Sequence, residues 1–170
     1  MPPPRKLDPS TLADHLDRLY RAAWALCGSR EEAEDLVQDT YARVLARPRL
    51  LYREDDLGYL LRVLRNTFVS GRRTAARRPS TVSMPDDAEI AESPAARQPE
   101  RAAEARLVYA AIAALPADFR DALVAIDVVG LSYREAARAL RVREGTVTSR
   151  LFRARQQVAR ALDPERASPG

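Results

Sequence analysis

Apolar residues in this chain recur every three or four positions, and Ser, Gly and Pro break the recurrence where β-branched runs never do. Each helical residue turns by about 100°, so that spacing marks one face of a helix, and the breaks mark helix ends. A helix from Ser10 to Cys27 stops at Gly28, which suits a left-handed cap. Ser29 with Glu32 forms a capping-box pattern that opens a second helix, ending before Pro48. Asp55 or Asp56 is the N-cap expected for a third, running from Leu57 to near Pro79. Beyond Glu100 the rhythm resumes to Ala114, again over Ala117–Val128, then from a second capping box at Ser132 and Glu135 to Leu140, and last through Gly145–Val158. The expected class is all-α.

The same punctuation divides the chain. Residues 1–9 read as a tail, 10–78 as a three-helix unit and 79–99 as a flexible linker. Residues 100–162 read as a second helical unit, and 163–170 as a closing tail. The linker places Pro79, Pro85, Pro94 and Pro99 among Ser, Ala, Asp and Glu, with no sustained period. The formal net charge is +4, but its distribution says more. Arg62–Arg78 carries six arginines and no acid, and Val129–Leu162 carries eight arginines against Glu135 and Glu144. Pro79–Glu104 between them holds six acids and two arginines. Two basic blocks around an acidic spacer suit two polyanion-binding surfaces; solvated helix faces are the plainer alternative.

Ser132–Leu140, the turn "RVRE" and the longer helix after it make a helix-turn-helix. In that last helix Val147, Leu151, Ala154 and Val158 share a narrow apolar face, while Ser149, Phe152, Arg153, Gln156 and Arg160 lie opposite. An aromatic ring between a serine and an arginine, away from the core, suits a DNA major groove. There Ser149 can hydrogen-bond a base, Arg153 can pair with guanine, and Phe152 can lie on a thymine methyl. Arg150 and Arg155 project sideways, toward phosphates.

The three-helix unit also has two-faced helices. In the second, Leu36, Val37, Thr40, Tyr41, Val44 and Leu45 form one arc, and Asp35, Gln38 and Asp39 cluster on the other side. In the third, Leu57, Leu60, Leu61, Leu64 and Phe68 point inward, and Tyr59, Arg62, Asn66, Ser70, Arg73 and Arg77 form the opposite row. An aromatic, an amide and arginines in a row suit single-stranded nucleic acid, where stacking holds a base for roughly 1–3 kcal/mol.

The segment "LPADFRDALVAIDVVGLSYREAARALRVREGTVTSRLFRARQQV" resembles the promoter −35 recognition domain of bacterial sigma factors. The resemblance places Thr148, Ser149, Phe152 and Arg153 at the −35-reading positions; Arg150, Arg155 and Gln156 complete the expected DNA-facing set. "DLVQDTYARVL" is similar to the sigma segment that grips the clamp coiled coil of core RNA polymerase, which implies polymerase binding by Asp35, Gln38 and Asp39. "LGYLLRVLRNTFVSGRR" looks like the segment that opens and reads the −10 element. By that match Asn66 reads a base, within a −10 set of Tyr59, Arg62, Asn66, Arg73 and Arg77. Arg49–Asp56 resembles the family loop that receives a flipped base. The family often has tryptophan where Tyr59 stands and aspartate where Ser70 stands. Ser70–Gly71 also weakens the helix, by about 1 kcal/mol.

With nothing long between the two units, the chain resembles the short extracytoplasmic-function group of the sigma-70 family. The resemblance implies two small helical domains, sigma domains 2 and 4, joined by the acidic linker. The implied partners are core RNA polymerase (clamp coiled coil and flap), promoter DNA and an anti-sigma factor, in the cytoplasm. The linker would thread through polymerase, and Asp86, Asp87, Glu89 and Glu92 would hold the free protein off DNA.

One cysteine and one histidine exclude a disulfide framework and a zinc-finger ligand set, and Cys27 beside Gly28 reads as packing. No apolar run approaches the ~20 residues of a membrane span, and "MPPPRKLDPS" lacks a signal peptide's apolar stretch. No catalytic constellation, phosphate loop or metal set is visible, so neither an enzyme nor a cofactor is expected. Two other classes stay open: a sigma-like mimic that titrates an anti-sigma factor, and a dimeric helix-turn-helix repressor that binds duplex DNA alone.

Overall fold

The structure is a computed structural model and describes residues 3–52, 55–77 and 99–165. The expected linker, 79–99, lies outside these residues except for Pro99, as does the end of the C-terminal tail.

The expected first helix forms in two stages. Pro9–His15 is a 3-10 helix capped by Asp8, whose carboxylate accepts from the Ser10 N–H, and the α-helix α1 (Leu16–Cys27) follows directly. Gly28 ends α1 at φ +77°, and its N–H donates to the Trp24 carbonyl at 2.7 Å. α2 (Arg30–Ala46) starts at Ser29, whose hydroxyl accepts from the Glu32 N–H. α3 (Asp56–Ala76) starts at Asp55, whose side chain accepts from the Gly58 N–H at 3.2 Å. Asp56 instead pairs with Arg5 at 2.6 Å.

The residues read as an N-terminal tail are ordered by pairing. β1 (Arg5–Lys6) runs antiparallel to β2 (Leu50–Leu51), with Arg5 opposite Leu51. Two residues per strand leave no alternating pattern for a sequence to show. Leu7 packs on the core behind the ladder.

In the second unit, α4 (Pro99–Ala113) ends before Leu115–Pro116, and α5 (Ala117–Leu123) runs into a π-helical turn, Val124–Val128. Sequence reads those last two as one α-helix; the wider turn appears in the hydrogen bond from the Val129 N–H to the Val124 carbonyl, 2.9 Å. α6 (Tyr133–Leu140) opens on the expected capping box. The Ser132 hydroxyl accepts from the Glu135 N–H at 3.2 Å, and the Glu135 carboxylate accepts from the Ser132 N–H at 2.7 Å. Arg141 then turns the chain at φ +57°, and α7 (Glu144–Leu162) follows.

Leu19, Leu26, Leu60 and Leu64 of the first unit belong to the same continuous core as Val124, Val129, Val147 and Leu151 of the second. α1 packs on α4 and on the π turn, and α3 packs on α6. Trp24 stacks on Tyr109 with ring centroids 4.1 Å apart. Arg65 of α3 forms an ion pair with Asp121 of α5, which is 7% exposed. Arg72 and Arg120, one from each unit, both lie 5.1 Å from the Phe68 ring. A Cβ on Gly28 would come within 3.1 Å of Ala113.

Candidate nucleic-acid interface

α7 buries one face and leaves the other bare. Val147, Leu151 and Ala154 are sealed in the core, while Thr148, Ser149, Phe152, Arg153, Arg155 and Gln156 are exposed. Phe152 is 63% exposed, so its ring contributes little to packing. The two hydroxyls lean back on their own helix. Thr148 donates to the Glu144 carbonyl and Ser149 to the Thr146 carbonyl, both at 3.1 Å, which leaves oxygen lone pairs facing outward. Arg150 is half-buried and pairs with Asp118 at 3.0 Å. Arg155 grips Asp127 through Nε at 2.9 Å and Nη2 at 2.7 Å. The hydrogen bond to Asp127 holds the Arg155 guanidinium pKa above its ordinary value. The residues expected to face the −35 element thus all lie along one helix, on its outer face and flanks.

α3 keeps part of its expected row. Asn66, Ser70, Arg73 and Arg77 are exposed and Arg62 is half-buried. Tyr59 is a correction: it is 4% exposed, not an open platform. It lies only four residues from the Asp55 cap, in a stretch where Leu57, Gly58, Tyr59, Leu60 and Leu61 are all buried. This end of α3 is covered on every side, and an amphipathic wheel assumes one open side. The Arg62 guanidinium lies 5.6 Å from the Tyr59 ring.

Tyr59, Arg62 and Asn66 still line one cavity of about 680 Å³. Arg43, Arg47 and Arg49 share that lining, and Arg141 reaches it from the helix-turn-helix turn. Sequence reasoning missed Arg43, Arg47 and Arg141, and placed Arg49 only within the loop expected to receive a flipped base. "ARVLARPRL" carries a signal for Arg43, Arg47 and Arg49, but only the packing of the units brings in Arg141. Within the Arg49–Asp56 loop, Arg49 reaches the cavity, and residues 53 and 54 lie outside the described residues.

On α2, Asp35, Gln38 and Asp39 are all exposed as expected. Leu45 departs from the apolar arc and is exposed, while Leu36, Val37, Thr40 and Val44 are buried. Thr40 donates to the Leu36 carbonyl at 2.7 Å, and Tyr41 ties α2 to the Leu12 carbonyl at 2.7 Å. Asp35 and Asp39 rim a groove of about 470 Å³ whose far wall is Phe68, Gly71 and Arg72 of α3. Burial pushes the Cys27 thiol beside this groove up to about 11, with Glu32 adding to it. Cys27 is therefore a protonated packing group at neutral pH.

Among the described residues, no group of three or more His, Cys, Asp or Glu side chains is placed to hold a metal, and no helix is long and apolar enough to cross a membrane.

Comparisons with known proteins fall on the same two units. Residues 12–78 match the family described as Sigma-70 region 2, and residues 105–158 match Sigma-70, region 4. The ECF RNA polymerase sigma factor SigE of Mycolicibacterium smegmatis is 38% identical over 148 residues, covering 85% of this chain and 57% of that protein. This chain therefore spans little more than half the length of that relative. The RNA polymerase sigma-H factor of Pseudomonas aeruginosa is 35% identical over 146 residues, covering 79% of this chain and 75% of that protein. Among solved structures, the sigma factor RpoE in complex with the anti-sigma factor NepR, from Bartonella quintana, aligns with a TM-score of 0.67 at 26% identity. That alignment covers 92% of this chain and 96% of that one. CnrH, solved with the cytosolic domain of CnrY, shares the fold at a TM-score of 0.63 and 23% identity, over 92% of this chain and 87% of that one.

Proposed function

Because the chain belongs to the extracytoplasmic-function group of the sigma-70 family, we propose that it is a promoter-selecting subunit of bacterial RNA polymerase. α2 docks on the clamp coiled coil of core polymerase through Asp35, Gln38 and Asp39, and the second unit also meets the flap. α3 takes unstacked bases of the −10 element at Asn66 beside the arginine-lined cavity, with Arg73 and Arg77 on the backbone. Extruding a base costs a few kcal/mol, which cationic and stacking contacts must return. α7 reads the −35 element in the major groove through Thr148, Ser149, Phe152, Arg153 and Gln156, with Arg150 and Arg155 on phosphates. An anti-sigma factor holds the protein inactive, a reading supported by the RpoE–NepR complex it resembles. The protein works in the cytoplasm and catalyses nothing itself.

The single observation that carries this reading is the bare outer row of α7. A 63% exposed phenylalanine set between Ser149 and Arg153 on a helix-turn-helix has a use in a DNA groove and none in the core. The test is run-off transcription with purified core polymerase on a promoter library. Core-dependent transcripts sharing a two-element motif are expected. A chain that gives none, and instead binds palindromic duplex tightly as a dimer, is a repressor.

A further inference from the structure

The flanks of the recognition helix carry two arginine–aspartate pairs that the reading of α7 leaves unexplained. Both acids come from the segment packed against α7: Asp118 from the first turn of α5 and Asp127 from the π turn. Placing carboxylates beside arginines meant for a polyanion looks counterproductive, since each removes a positive charge from the binding face. The geometry of the second pair gives the reason.

Asp127 engages Arg155 side-on, through Nε and Nη2. A guanidinium has five N–H groups in a rigid fork, and this grip occupies only one edge. Both Nη1 hydrogens and one on Nη2 remain, away from the edge that Asp127 faces. Arg150 meets Asp118 through Nη2 at 3.0 Å. A free arginine must surrender rotamer freedom when it docks on a phosphate, whereas one already held by a carboxylate has surrendered it beforehand. The π turn belongs to the same arrangement, because it carries the carboxylate.

Building on the proposed function, we propose that Asp127, and in the same way Asp118, are positioning residues that hold the flank arginines of α7 with their outer N–H groups set for the phosphates beside the −35 element. Neither acid touches DNA. Each acts through its arginine.

The proposal predicts an effect opposite in sign to bulk electrostatics. Asp127→Asn makes the protein more positive, so charge alone predicts tighter promoter binding; lost positioning predicts weaker binding. The experiment uses holoenzyme assembled from core polymerase and each chain, on a promoter selected from the library by the wild type, with open-complex formation read across a salt series. Asp127→Asn is expected to lower it about fivefold, the scale of one well-made polar contact. Asp127→Glu is expected to retain most of it. Asp14→Asn, the same charge change on an exposed residue of the first unit, is expected to leave it unchanged. In an Arg155→Ala background, Asp127→Asn is expected to have no further effect. Equal or stronger promoter engagement by Asp127→Asn overturns the proposal, as does a loss that persists without Arg155. Absence of core-dependent transcripts from the wild type itself would instead remove the proposed function, and this inference with it.

Discussion

Phe152 and its neighbour Leu151 differ by one position and have opposite duties. Leu151 is sealed in the core while Phe152 stands in solvent. Truncating Leu151 to alanine is expected to cost about 2–5 kcal/mol of stability, the usual range for a buried leucine. Phe152→Ala is expected to leave the melting temperature within a degree or two and to lower −35-dependent transcription about fivefold, roughly 1 kcal/mol of lost apolar contact. Thermal melts and run-off assays on one promoter separate the two, and a large melting shift for Phe152→Ala would place its ring in a packing role. This contrast was legible in the sequence because both residues lie mid-helix, where the 3.6-residue rhythm holds and only one side is covered. Tyr59 was misread for the converse reason. At the start of α3 the cap, the short β2 strand and the neighbouring helices close in together, and a wheel has no term for cover on all sides.

At the scale of elements, caps were the most readable features. Ser29, Asp55 and Ser132 each accept the backbone N–H expected of them, because capping is a contact across three residues of one chain. The capping box of α6 gives a pH prediction. The Ser132 backbone N–H, then the Ser132 hydroxyl, hold the Glu135 carboxyl below its ordinary value of 4.5. A carboxylate whose folded value is lowered adds stability that is fully present above the unfolded value and lost as pH falls through the folded one. Glu135→Ala is therefore expected to destabilise the protein at pH 7 and to lose most of that effect below about pH 4, measured by paired denaturant melts. A penalty that is constant from pH 7 to pH 3 would show that the charge of Glu135 plays no part. The β1–β2 ladder and the π turn escaped sequence reading for a different reason. A two-residue ladder is too short to alternate, and an α-turn and a π turn bury Val124 and Ala125 equally well.

Taken whole, the molecule holds together the two units proposed to face DNA. The promoter elements they are proposed to read lie about 25 base pairs apart, roughly 85 Å along a duplex, whereas α3 and α6 touch. One chain cannot occupy both elements in this arrangement. Trp24, the only tryptophan, reports the contact because it stacks on Tyr109 across it. Replacing Asp121 with alanine removes the partner of Arg65 and is expected to shift Trp24 emission to longer wavelength at denaturant concentrations that leave far-UV helicity intact. Coincident loss of both signals in that variant would mean that the units unfold as one. This docking was invisible to sequence reasoning: its partners lie dozens of positions apart, and the periodicity of each helix is satisfied without it.

Gly28 carries a consequence for how such a chain can change over time. The requirement that ends α1 and the requirement that seats α4 fall on the same hydrogen atom, since any side chain there is strained at φ +77° and crowds Ala113. A lineage that lost this glycine would be pressed to rebuild a terminus and loosen the embrace of its halves in a single step. Drift at this one site is thereby tied to how readily the protein lets go of itself.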